Sequence, residues 1–182
     1  REVAGETVAV IGAGGIGFDV SEFLATEESP SVDLAEWLKE WGVADPGEHR
    51  SGLAPEGPKP APSARKVSLF QRKSERLGRR LGKTTGWIHR ASLQMKSVRM
   101  VGGVTYRKID REGLHFVRQD GTPEVVPCDT VVLCAGQESD RRLADDLEAA
   151  GIVCHVIGGA DVAAELDAKR AIDQGARLAA GL

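Results

Sequence analysis

Cysteine is scarce in this sequence, and its scarcity excludes several kinds of site. Only Cys128, Cys134 and Cys154 are present, and they form neither a CxxC pair nor a metal-ligand spacing. A 4Fe–4S cluster needs about four thiolates, so we expect no such cluster and no metal site within these residues. We expect the thiols at strand ends in the core, and the protein in the reducing cytoplasm.

Long apolar runs and an excess of positive charge are also missing. No apolar run approaches the roughly 18 residues that a membrane span requires, so we expect no membrane segment. A formal net charge of −3 argues against general nucleic-acid binding. The 182 residues suit one globular domain and a little more. Because the first motif follows a non-methionine start at once, we expect a longer parent protein.

A glycine-rich loop follows the first apolar run, Thr7–Ile11, which predicts a buried strand. The loop residues are Gly12, Ala13, Gly14, Gly15, Ile16 and Gly17. Gly12 permits the tight turn out of a strand, Gly14 lets a pyrophosphate approach the backbone, and Gly17 lets the next helix lie close to the strand. The amides at the helix start attract the anion. The loop therefore predicts a dinucleotide site.

An unusually long segment, residues 27–65, separates the first helix from the second strand. The helix itself is expected to bury a face made of Ile16, Val20, Phe23 and Leu24. Within the inserted segment, residues 33–41 predict a short helix capped by Ser31 or Asp33. Five of the eight prolines lie in residues 46–62, which predict an irregular loop.

The remaining patterns predict an α/β fold: a Rossmann-like parallel sheet with an antiparallel three-stranded meander. Strands are expected over 66–71, 98–101, 104–109, 114–118, 124–127, 130–135 and 153–157. Helices are expected over 84–96, 141–150 and 161–180.

The end of the second strand indicates which nucleotide binds. An acidic residue there would hydrogen-bond the ribose 2′-hydroxyl of NAD or FAD, whereas Arg72 and Lys73 suit the 2′-phosphate of NADPH. Asp33 has about the right distance from the loop for a ribose ligand but lies in the inserted segment, so we discount it. A solvated basic loop is the alternative. Residues 72–83 contain no aromatic side chain, which disfavours single-stranded nucleic acid.

Five segments resemble the carboxyl-terminal part of bacterial-type NADPH-dependent 2,4-dienoyl-CoA reductases. They are VAVIGAGGIGFD (8–19), QRK (71–73), LGKTTGWIHR (81–90), CAGQE (134–138) and GGADVAAELDA (158–168). The resemblance implies a larger enzyme whose amino-terminal barrel holds FMN and a 4Fe–4S cluster, followed by FAD and NADPH domains. Residues 1–136 would be the NADPH domain, and 137–182 would return to an FAD domain whose remainder is absent from this chain.

The resemblance also implies a reaction and further site residues. Hydride would pass from NADPH to FAD, for reduction of 2,4-dienoyl-CoA in unsaturated fatty acid β-oxidation, without a catalytic side chain. Ala135 and Gly136 would belong to a hinge block of which this chain has a partial copy, and Asp161 would bond a flavin ribityl hydroxyl or simply cap a helix. His89 is either structural or close to the nicotinamide.

The sequence leaves open both the activity of the protein and the way in which its carboxyl-terminal apolar residues are covered. The same architecture serves enoate reductases and amine dehydrogenases, and a non-catalytic nucleotide-binding or interaction domain is a further alternative. The isolated fragment is expected to be inactive.

Its carboxyl-terminal apolar residues must be covered by the nucleotide domain or by a second copy in a homodimer; they are Val153, Val156, Ile157, Val162, Leu166, Ile172 and Leu178.

Overall fold

Two sheets organise the first of the two units into which the chain divides. The computed structural model describes residues 3–164 and 168–182, and the units are Arg1–Ala135 and Gly136–Leu182. In chain order the elements are β1 (Thr7–Ile11), α1 (Gly15–Ala25), α2 (Leu34–Trp41), β2 (Lys66–Phe70), α3 (Gly86–Met95), β3 (Arg99–Val101), β4 (Thr105–Asp110), β5 (Gly113–Val117), β6 (Pro123–Val126), β7 (Thr130–Leu133), α4 (Arg142–Ala149) and α5 (Ala168–Gly181). Short 3-10 turns at Pro30–Val32 and Arg50–Gly52 flank α2.

The larger sheet is parallel and has the strand order β3-β2-β1-β7. Its inner strand β1 carries Val8, Ala9 and Val10, which are all fully buried. A strand covered on both faces has to be apolar throughout, and this explains the continuous run in the sequence. The expected Rossmann-like α/β fold is confirmed.

The smaller sheet is the expected antiparallel meander, β4-β5-β6. Phe116 of β5 packs on Phe70 of β2 with ring centroids 5.1 Å apart, and both side chains are buried. This aromatic pair lies in a core cluster shared by the two sheets. The meander is thereby held beside the end of β2.

The buried face of α1 differs from the expected one. Ile16 and Phe23 are each 52% exposed, whereas Phe18 and Ser21 are fully buried. The prediction was wrong for Ile16 and Phe23, because the buried face of the helix is centred on Phe18, Ser21 and Leu24. It was right for Leu24 and for Val20, which packs against the core cluster. The Ser21 hydroxyl donates to Gly17 O at 2.7 Å, which satisfies it inside the core.

The inserted segment is anchored to the rest of the first unit by hydrogen bonds and an ion pair. Asp33 caps α2, because its Oδ1 accepts hydrogen bonds from Ala35 N (2.9 Å) and Glu36 N (3.1 Å). Glu40 of this helix forms an ion pair with Lys96, and the Lys96 ammonium also donates to Ala61 O at 3.1 Å. Two separate parts of the insertion, at Glu40 and at Ala61, therefore contact the residue that follows α3.

The second unit differs most from expectation. Residues 152–157 form no strand, because no other strand lies within the described residues of this unit to pair with them. Helix α5 begins at Ala168, not Asp161, although residues 165–167, including the predicted apolar Leu166, lie outside the described residues. Val153 is 85% exposed. The proposed covering of this apolar set stays a prediction.

The three cysteines are free and half-buried. Cys128 and Cys134 follow the ends of β6 and β7 and pack against the two core clusters, as expected of strand-end thiols. The expectation was wrong for Cys154, which follows no strand in the described residues. Burial raises the pKa of the Cys128 and Cys134 thiols, so they are protonated at neutral pH.

Candidate functional site

A cavity of about 260 Å³ lies where β1, β2 and β7 end. Parallel strands place their carboxyl ends at one edge of a sheet, and ligands of open α/β sheets bind outside that edge. The cavity is lined by Ile11, Gly12, Ala13, Gly14, Gln71, Arg72, Lys73, Glu75, Gly78, Arg79, Arg80, Tyr106, Cys134 and Ala135.

The glycine loop forms one wall, and its glycines have distinct roles. Gly12 has φ +112°, and a Cβ there would lie 2.3 Å from Cys134 O. A Cβ on Gly17 would lie 1.7 Å from Gly12 O. By contrast, a Cβ on Gly14 or Gly15 would meet nothing within 4 Å. The protein itself therefore requires glycine at 12 and 17, while the open space above Gly14 is free for a ligand.

The loop also presents unpaired backbone donors. Helix α1 starts at Gly15, and the amide of Phe18 donates to Gly14 O at 3.1 Å. The amides of Gly15, Ile16 and Gly17 precede that first intrahelical bond and have no carbonyl of the helix to reach. Such amides, together with the helix dipole, bind anions.

The second wall carries the cations. Hydrogen bonds fix the backbone of the turn after β2 to the connection between β3 and β4. Gly103 N donates to Lys73 O (2.9 Å), and Val104 N donates to Gln71 O (3.2 Å). Glu75, the acidic residue of the lining, pairs with Arg79 (3.5 Å) and Arg80 (3.6 Å). Its charge is thereby largely offset, and the cavity is basic.

Tyr106 was missed by the sequence reasoning. It is the single tyrosine of the chain and lies on β4, beside the cavity. Burial raises the pKa of its phenol to about 12, and the Arg72 charge opposes that shift in part. The sequence around Tyr106 gave no sign that this residue lies at a binding site. The alternation of apolar and polar residues along a strand predicts which face of the sheet a side chain takes, but it does not predict what packs against that face.

The predicted site residues are distributed as follows. Gly12, Ala13, Gly14, Arg72, Lys73 and Ala135 line one cavity. Gly15, Ile16 and Gly17 form the first turn of α1. Gly136 and Asp161 belong to the second unit.

Asp161 does not cap a helix among the described residues. It lies in a turn, where its carboxylate accepts a 3.5 Å hydrogen bond from the Gln174 amide. His89 is not among the cavity-lining residues; its Nδ1 lies 3.3 Å from Glu22 Oε2, between α3 and α1. This contact favours the structural role for His89.

Parallel sheet, glycine loop and basic cavity together define an α/β dinucleotide-binding domain. The chain belongs to the pyridine nucleotide-disulphide oxidoreductase family, whose model matches residues 1–171. The parallel sheet and the antiparallel meander are consistent with the NAD(P)-binding domain of flavoprotein reductases of this family. No helix in residues 3–164 and 168–182 has both the length and the apolar character to cross a membrane.

Known relatives are much longer than this chain. It is 26% identical over 160 residues to a metal reductase of Desulforamulus reducens, covering 88% of this chain and 23% of that protein. Among solved structures, 2-naphthoyl-CoA reductase in complex with 2-naphthoyl-CoA shares 17% identity at a TM-score of 0.65, covering 94% of this chain and 20% of the other. Histamine dehydrogenase from Rhizobium sp. 4-9 shares 18% at a TM-score of 0.62, covering 97% and 23%. At these identities the structures show the fold alone.

Proposed function

We propose that this chain is the NADPH-binding module of a multi-cofactor flavoprotein oxidoreductase. The observation that carries the proposal is the meeting of two features in one cavity: the glycine loop and the Arg72-Lys73 pair at the end of β2. When bound, NADPH supplies a hydride to a flavin. The glycine loop, Arg72 and Lys73 bind and orient the nucleotide.

The phosphates of NADPH suit the two walls. The pyrophosphate would lie over Gly12, Ala13 and Gly14, beside the first amides of α1 and in the space where a Cβ on Gly14 would contact no atom within 4 Å. The 2′-phosphate would lie between Arg72 and Lys73, each able to form a charge-assisted hydrogen bond. Asp33, the acid at the usual sequence distance, instead holds the amides that begin α2.

The flavin would be held largely by other parts of the polypeptide. On the resemblance to dienoyl-CoA reductases, Ala135, Gly136 and Asp161 would face an FAD to which residues 137–182 contribute. FMN and a 4Fe–4S cluster would lie in the remainder of the protein, because the described chain has too few thiols for a cluster. That remainder, NADPH and a possible second copy of the chain are the partners that we propose.

The substrate we propose for the whole enzyme is 2,4-dienoyl-CoA. The resemblance in segments 81–90 and 158–168 supports this choice, and one structural neighbour is named for reduction of another CoA thioester. A second candidate is an amine, since another neighbour is a histamine dehydrogenase. The full-length enzyme, reduced with NADPH and then mixed with each substrate class, distinguishes them by which compound reoxidises the flavin.

Titration calorimetry with NADPH and NADH tests the binding proposal. We expect the wild-type chain to bind NADPH more tightly, and Arg72→Glu or Lys73→Glu to weaken NADPH binding by about ten- to a hundredfold, or ~1.4–2.8 kcal/mol. Arg111→Glu and Lys59→Glu are matched controls, because both residues are exposed and outside the cavity. Equal affinity of the wild type for the two nucleotides would refute the proposal.

A further inference from the structure

The hydroxyl of Tyr106 is a buried polar atom that the protein leaves unsatisfied. Within the described residues its oxygen is inaccessible to solvent and has no hydrogen-bond partner. Most buried polar side-chain atoms in folded proteins are paired, so such an oxygen calls for an explanation. Its position supplies one, since Tyr106 lines the same cavity as the glycine loop.

The ring of Tyr106 is held in place by the meander. Tyr106 is the register partner of Phe116, and its ring packs against the buried cluster that contains Phe116 and Phe70. The β4–β5 register shifts immediately after it, between Tyr106 and Lys108. Bulges of this kind re-aim side chains and are frequent beside binding sites. The hydroxyl is therefore presented from a rigid support.

Arg72 lies close enough for its charge to act on the Tyr106 phenol. The phenol keeps its proton at neutral pH, since its ordinary pKa is about 10 and burial raises that pKa further, to about 12. The cavity wall thus combines a cation with a neutral O–H donor. An anionic oxygen is the ligand atom that satisfies both groups together, since a neutral hydroxyl gains less from the guanidinium.

We propose that Tyr106 is a specificity-determining residue that donates its phenolic hydrogen bond to the 2′-phosphate of the bound nucleotide, beside Arg72. The inference rests on the proposed NADPH function and deepens it. The ligand class is an adenosine nucleotide with a phosphate monoester on the ribose. Arg72 supplies charge, and Tyr106 supplies direction, because a single O–H donor forms a good hydrogen bond only with a phosphate oxygen in a narrow range of positions.

Tyr106→Phe tests the proposal with two nucleotide fragments, 2′,5′-ADP and 5′-AMP, in titration calorimetry. We expect about tenfold weaker binding of 2′,5′-ADP and unchanged binding of 5′-AMP, because phenylalanine keeps the ring and loses only the donor. Thr105→Val is the matched control. It removes a hydroxyl from the adjacent, exposed residue of β4, which does not line the cavity. A cooperative thermal transition with a midpoint no lower than that of the wild type confirms that each variant is folded.

Isotope-labelled tyrosine gives a second readout, because the chain has one tyrosine and hence one ring signal set. That signal should shift with 2′,5′-ADP and not with 5′-AMP. Equal weakening of both fragments by Tyr106→Phe would place the hydroxyl on the shared part of the nucleotide and overturn the inference. No weakening, in a wild type that still prefers 2′,5′-ADP, would overturn the inference and leave the NADPH proposal standing. A wild type without that preference would refute both.

Discussion

Lys96 and Glu40 form an ion pair of 3.1 Å although their side chains are only 3% and 11% exposed. Glu40 belongs to the inserted segment between the first two strands, and Lys96 follows α3 of the nucleotide-binding unit. The pair therefore joins the insertion to the domain that it interrupts. Because a charge left alone in such a place has no water to compensate it, neither partner can be removed without cost.

Removal of one partner of this pair should be strongly destabilising. We expect Lys96→Met to lower the free energy of unfolding by about 3–5 kcal/mol, and the double variant with Glu40→Gln to recover much of that loss. The control is Lys39→Met, which breaks a solvent-exposed pair with Glu36 and should cost under about 1 kcal/mol. Urea denaturation measures the free energy of unfolding of each variant. Equal costs for the buried and the exposed pair would contradict the prediction.

Two glycines of the loop should separate stability from binding. Gly17→Ala places a Cβ 1.7 Å from Gly12 O, so we expect a loss of at least about 1–3 kcal/mol in stability. Gly14→Ala meets no protein atom within 4 Å, so the fold should be unaffected while NADPH binding weakens. Thermal unfolding and calorimetry of both variants check this. Normal nucleotide binding by Gly14→Ala would place the pyrophosphate elsewhere.

The preference for NADPH over NADH should depend on pH. A phosphate monoester loses its second proton with a pKa of about 6, and Arg72 and Lys73 bind the dianion more strongly. The ratio of the two affinities should therefore fall as the pH is lowered through about 6, while NADH affinity changes little. Calorimetry between about pH 5 and pH 8 measures the ratio. A ratio that does not change would argue against a 2′-phosphate contact.

Cys134 should report on nucleotide binding. Burial raises the pKa of the Cys134 and Cys128 thiols, so alkylation by iodoacetamide should be slow at neutral pH and accelerate as the pH rises toward that raised pKa. Cys134 lines the cavity and Cys128 does not, so NADPH should slow modification of Cys134 alone. Mass spectrometry of the labelled peptides separates the two sites, and equal protection of both would contradict the assignment of the cavity.

Local patterns were sufficient for the elements of the nucleotide-binding unit. Three predicted features depend only on residues close together in the sequence, and all three are present in the structure. They are the strand Thr7–Ile11, the glycine loop and the turns of the meander. Residues 153–157 have a strand-like apolar pattern but no strand partner in the described part of their unit. Strand formation depends on a neighbour, which a local pattern does not contain.

The sequence by itself determined the alternation of strands and helices, the glycine loop and the cations that end β2, because backbone conformation and turn chemistry follow from short-range residue choices. Only the tertiary structure brought Tyr106 into the cavity with Gly12, and joined Glu40 to Lys96. In each case the residues that meet are far apart along the chain. Their meeting depends on how the sheets and the insertion pack, which residue types alone do not specify.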